Sequence, residues 1–164
     1  MKTKLITLFS ALLIVIAFAC SKDNTVPVKF LLTDNPVAYD SVNVHIVGMQ
    51  VKVNNESWID IETKDTTVNL LDLQDGVTMI LAEDEIPDGT LQEVRFILGP
   101  GNYVVVDGTR HDMATPSSED SGLKVKIDKD LNETMNTFVL DFDAALSVKE
   151  EVGNYKLMPV IKLK

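Results

Sequence analysis

The sequence predicts an all-β, antiparallel sandwich of about seven to nine strands with at most one short helix. Three observations predict it. From Val28 onward apolar residues recur with a period of two, not 3.6. Turn-forming clusters such as Asn54–Ser57, Gly99–Asn102 and Asp107-Gly108 punctuate these runs at short intervals. Only the stretch from Asn69 to Pro87 lacks clean alternation.

Taken in order, Val28, Phe30 and Leu32 share one face of the first strand. Val42, Val44 and Ile46 share a face of the second, and Met49, Val51 and Val53 then take it over. The parity slips across Gly48, which predicts a β-bulge. Asn54–Ser57 turns the chain and the Trp58–Thr63 run returns. In the Asn69–Pro87 stretch a strand and a turn at Asp75-Gly76 precede a short helix or extended segment around Thr78–Ala82. Val94, Phe96 and Leu98 alternate with Arg95; Leu123, Val125 and Ile127 alternate with Lys124 and Lys126. Phe138, Leu140, Phe142 and Ala144 alternate with Val139, Asp141 and Asp143. The last run, Asn154 to Lys164, reads as one strand, with Pro159 marking it as an edge or a bulge. Thr109–Gly122 is the longest polar loop.

The first nineteen residues are built differently. Lys2 and Lys4 precede an uncharged apolar run, Leu5–Ala19, which ends in small residues before Cys20, the only cysteine. This is the layout of a secretory leader, with an uncleaved anchor as the alternative. Ala17-Phe18-Ala19-Cys20 resembles the lipobox of bacterial lipoproteins, with Cys20 as the acylated residue. The domain reading is therefore a leader over 1–19, a lipidated cysteine and tether over 20–27, and a sandwich over 28–164. A lone cysteine excludes an intrachain disulfide and a thiolate metal centre. Removing Lys2 and Lys4 takes the net charge from −10 to −12. That acidity argues against nucleic acid as a partner, and no polybasic segment supports anionic lipid binding. The expected address is the bacterial outer membrane, with the covalent lipid as the membrane contact.

Candidate chemistry is sparse. No G-x-S-x-G elbow is present, and His45 and His111 lie far apart. His111 is placed in the long loop beside Asp112, and His45 on a polar strand face. Asp141 and Asp143 project from the same side of one strand and need a compensating charge: calcium, a cross-strand lysine, or Arg95. The competing reading, for this pair and for the other acidic residues, is a solvated face. Trp58, Tyr103 and His111 are the candidate ligand-binding side chains, because aromatic platforms bind sugars. Tyr155 is assigned to the core.

Six phrases occur in order: "LLTDNPVAYDSVNVHIVGMQV", "NLLDLQDG", "IPDGTLQEVRFIL", "SGLKV", "LDFDAALSV" and "YKLMPVIK". Together they resemble a Bacteroidetes-type lipoprotein family classed as a domain of unknown function. The resemblance implies a transthyretin- or prealbumin-like sandwich with no established activity. Within it, Asp34-Asn35-Pro36 reads as an Asx-type turn. Gly122 and Gly89 read as positive-φ or close-packing sites, and Arg95 as a partner of Asp141 or Asp143. The expected function is a non-catalytic binding or adhesion module for glycan or an envelope protein. A structural component of an envelope complex, or a fimbria-like subunit, is the second reading; an enzyme is the third.

Overall fold

The computed structural model describes residues 24–115 and 122–164. The expected leader, Cys20 and residues 21–23 of the expected tether lie outside the described residues. In chain order the strands are β1 (Thr25–Thr33), β2 (Ser41–Val53), β3 (Ile59–Ile61), β4 (Thr66–Asn69), β5 (Met79–Pro87), β6 (Thr90–Leu98) and β7 (Tyr103–Val106). They continue with β8 (Thr109–Ala114), β9 (Leu123–Asp130), β10 (Asn136–Phe142), β11 (Val148–Glu151), β12 (Asn154–Leu157) and β13 (Ile161–Leu163). A 3-10 turn spans Leu70–Leu73, and the one α-helix among the described residues, α1, is a single turn at Ala144–Ser147. No helix among the described residues is long and apolar enough to cross a membrane.

These strands form an all-β, sandwich-like body of two sheets. The smaller runs β13-β10-β1-β5; the larger runs β11-β12-β8-β7-β2-β6-β9, with β3 and β4 on the other edge of β2. The thirteen strands among the described residues exceed the number read from sequence, because hairpin arms of three or four residues are too short to show alternation. The sheets are mixed, since β1 pairs β10 and β12 pairs β8 in parallel. The domain also starts earlier than Val28: Thr25 already pairs with Pro87.

Alternation builds the core. Val26, Val28, Phe30 and Leu32 of β1 face Val42, Val44, Ile46, Met49, Val51 and Val53 of β2 within one buried cluster. Each such side chain contributes about 1.5–3 kcal/mol on burial. The slip at Gly48 is a register shift between Ile46 and Gly48 against β6. A second shift, between Leu91 and Glu93, sits opposite Asp128, which adopts φ 49°. Asn54 and Asn55 take φ 53° and 59°, and Asp107-Gly108 49° and 74°, matching the backbone twist that two-residue hairpins require.

Of the two alternatives for the Thr78–Ala82 segment the extended one holds, with Met79–Ala82 in β5. Three local readings are revised. His111 lies on β8, not in a loop: Tyr103–Val106 and Thr109–Ala114 pair as a hairpin, and the polar side chains of the second arm hid its strand. The last run is two strands rather than one. β12 joins the large sheet and β13 the small one, with Met158–Val160 crossing between them. Pro159 lacks an N–H and stands at that crossing, where no ladder bond is lost. Asp141 and Asp143 do not form a solvated face; both are buried.

Candidate functional site

Two regions concentrate polar side chains. The first lies where β1 ends, and it unites four of the sequence phrases. Asp34 N donates to Leu73 O at 3.0 Å, and Thr33 Oγ1 donates to the carbonyls of Leu73 and Val77. Asp34 Oδ1 accepts from Ala144 N at 2.9 Å. Asn35 Nδ2 donates to Asp141 Oδ2 at 2.8 Å. Asp143 Oδ1 caps α1 by accepting from Leu146 N, while Asp143 N donates to Val160 O. The LTDNP, DLQDG, DFDA and LMPVIK phrases are thus one interlocked corner of the fold.

That corner revises two expectations. Asp34 does not close a local Asx turn, because Pro36 has no N–H to offer; it reaches 110 residues along the chain instead. Pro36 itself is exposed. The charge facing Asp141 and Asp143 is Lys162, at 3.9 and 3.7 Å. It stands directly opposite Asp141 in the β10–β13 ladder, the cross-strand lysine among the alternatives. Among the described residues no group of three or more His, Cys, Asp or Glu side chains is placed to hold a metal ion. Asp141 Oδ1 has no hydrogen-bond partner. Burial pushes the Asp34 carboxyl above its ordinary value, against the lowering effect of its hydrogen bonds from Ala144 and Gln74.

The second region is the outer face of the large sheet. Arg95 is on this sheet and not near Asp141. Its guanidinium lies 3.9 Å from the centroid of the Trp58 ring, and its Nη1 donates to Gln50 Oε1 at 3.1 Å. Gln50 in turn donates to Asp60, its cross-strand neighbour, and Lys124 Nζ stands 5.9 Å from the same indole. Trp58 is half-buried. Farther along the face Arg110 covers the Tyr103 ring at 3.8 Å and binds Asp112 through Nε and Nη2. Each cation–π pair is worth about 0.5–2 kcal/mol. His111 is turned away from this surface, its ring 4.8 Å from buried Tyr155. The structure therefore joins Trp58 to Arg95 and Tyr103 to Arg110, and separates His111 from both.

Gly122 sets the Arg95 position. It has φ +63°, and a Cβ there would meet Arg95 Cγ at 2.5 Å and Phe96 O at 2.8 Å. Gly122→Ala is expected to destabilise the fold by about 1 kcal/mol or more and to lift Arg95 off the indole. Trp58 is the only tryptophan, so its emission spectrum reports that displacement directly.

Sequence reasoning missed His45. Its Nε2 lies 2.6 Å from Asp65 Oδ1 and its Nδ1 3.0 Å from Pro100 O. Two acceptors favour the imidazolium, and the Asp65 hydrogen bond, then that to Pro100, raise the pKa above 6.5. A raised histidine contributes stability that is complete below pH 6.5 and is lost as pH rises through the folded value. The stability difference between wild type and His45→Gln is expected to shrink over that alkaline-going window, as measured by urea melts at several pH values. The missed signal was Asp65, twenty residues away. Nearby, buried Asn102 accepts from His45 N and donates to Gly99 O and Thr115 Oγ1. It substitutes for the ladder where β6 hands over to β7.

A family model described as a domain of unknown function, DUF4382, matches residues 25–159. No curated protein and no solved structure matches the chain.

Proposed function

We propose, from the premise that the chain belongs to the DUF4382 family, that it is a bacterial outer-membrane lipoprotein anchored through Cys20, whose large sheet binds glycan without catalysis. The observation that carries this reading is the outer face, where Trp58 and Tyr103 lie half-buried on the sheet with Arg95, Lys124 and Arg110 against their rings. Planar rings set among hydrogen-bonding cations and amides are the chemistry that stacks on a pyranose and holds its hydroxyls. A non-catalytic role is supported by the engagement of both His45 nitrogens and by the placement of His111 against Tyr155. A glycan array probed with the acylated protein in detergent tests it. Binding that Trp58→Ala or Tyr103→Ala reduces is the expected result; no glycan bound, or binding indifferent to both changes, overturns it.

One observation favours the second reading, assembly by strand addition. β13 pairs only Leu140–Phe142, so the earlier part of β10 borders a groove lined by Lys129, Met135, Thr137 and Leu163. An extended segment from another protein would complete that edge. Cross-linking from a photo-reactive residue at Thr137 in intact cells would identify a strand donor, and its absence would remove this reading.

A further inference from the structure

The end of the body where β1 begins is tied together by side chains bonded to backbone. Asp88 N donates to Asn24 O at 3.0 Å. Asn54 donates to Asp88 O and accepts from Thr90 N. Asn136 Nδ2 donates to the carbonyls of Pro27, Asn132 and Thr134, and Leu131 N donates to Gly89 O. Gly89 has φ +125°, and a Cβ there would overlap the Asn54 side chain. Asn24 is therefore fixed to one end of the sandwich.

Only Ser21, Lys22 and Asp23 separate Cys20 from Asn24. Fully extended, that span reaches about 14 Å. A nine-residue strand such as β1 is about 30 Å long. A body held by so short a lead cannot turn its far end, with α1 and the Met158–Val160 crossing, toward the bilayer. The end where β1 begins carries exposed Met135 and a cleft of about 490 Å³ lined by Asn24, Asp88, Gly89, Leu131 and Glu133.

Resting on the reading that Cys20 is acylated, we infer that this end of the sandwich lies against the lipid surface, and that its Asp88–Glu133 cleft faces ethanolamine-type zwitterionic headgroups. The carboxylates match an ammonium and repel a bare phosphodiester. The far end and the outer face of the large sheet are left to other partners.

Acylation consumes the only native thiol, so an introduced cysteine is the sole labelling site. The full acylated protein is placed in phosphatidylethanolamine vesicles containing a headgroup-nitroxide lipid, with a fluorophore at Met135→Cys or at Leu146→Cys, so that both cleft carboxylates are kept. Both native side chains are exposed. Several-fold stronger quenching at position 135 is expected. It should weaken when phosphatidylglycerol replaces the ethanolamine lipid, and vanish when a flexible linker of about twenty residues, spanning about 25 Å, follows Asp23. Equal quenching at both positions, or stronger quenching at 146, overturns the orientation while leaving the anchor intact. Quenching at 135 unchanged by phosphatidylglycerol overturns the headgroup assignment. Intact mass without acyl chains, with no co-flotation, overturns the anchor and the orientation together.

Discussion

Alanine at position 34 is expected to lower the unfolding free energy by about 2–4 kcal/mol. Asp34 Oδ1 is the acceptor for Ala144 N, and Ala144 is fully buried. Removing the carboxylate leaves that donor in an apolar setting with nothing to replace it, and such orphaned groups cost about 1–3 kcal/mol beyond the bond itself. Asp34→Asn should behave differently, because it keeps the acceptor and discards the buried charge. The Asp34 pKa is raised, so the folded state favours the protonated form. Its contribution is greatest below pH 3.8 and is lost as pH rises through the folded value. Relative to wild type, Asp34→Asn should therefore gain stability between acid and neutral pH. Urea melts of wild type and both variants across that range check the sign. An alanine variant as stable as wild type would show that the corner is not tied through Asp34.

The second large effect belongs to Phe30. It is fully buried in the middle of β1, paired to Phe138 on one side and Ala82 on the other. Its ring stacks on Phe138 with centroids 5.4 Å apart. Phe30→Ala opens a cavity in the buried core and should cost about 3–5 kcal/mol. Phe30→Leu refills most of it and should cost about 1 kcal/mol. Denaturant midpoints at an unchanged slope are the measurement.

The faces of the strands were legible because alternation is a local signal. Val28, Phe30 and Leu32 announce their burial by spacing alone, and Gly48 announces its bulge because the parity of its neighbours changes. Which sheet a residue belongs to has no such signal. Arg95 and Asp141 both stand opposite apolar neighbours on their strands, yet they lie on different sheets, so the pairing read between them fails and Lys162 takes that position. Alternation runs unbroken from Tyr155 to Leu163, so nothing local marks the change of sheet at Pro159. Asn102 and Asn136 repair the backbone where strands end, and a single asparagine carries no periodic trace. Nor does spacing show that Asp34, Leu73, Asp143 and Val160 form one corner, because they meet only after the chain has closed.

β1 is an interior strand, with β10 running alongside it and β5 against it. Traction applied at Asn24 along the strand axis therefore loads two hydrogen-bond ladders in shear. Bonds stressed side by side must yield together, whereas a border strand would peel open one rung after another. The point at which this chain enters its fold is mechanically a clamp, suited to bearing drag.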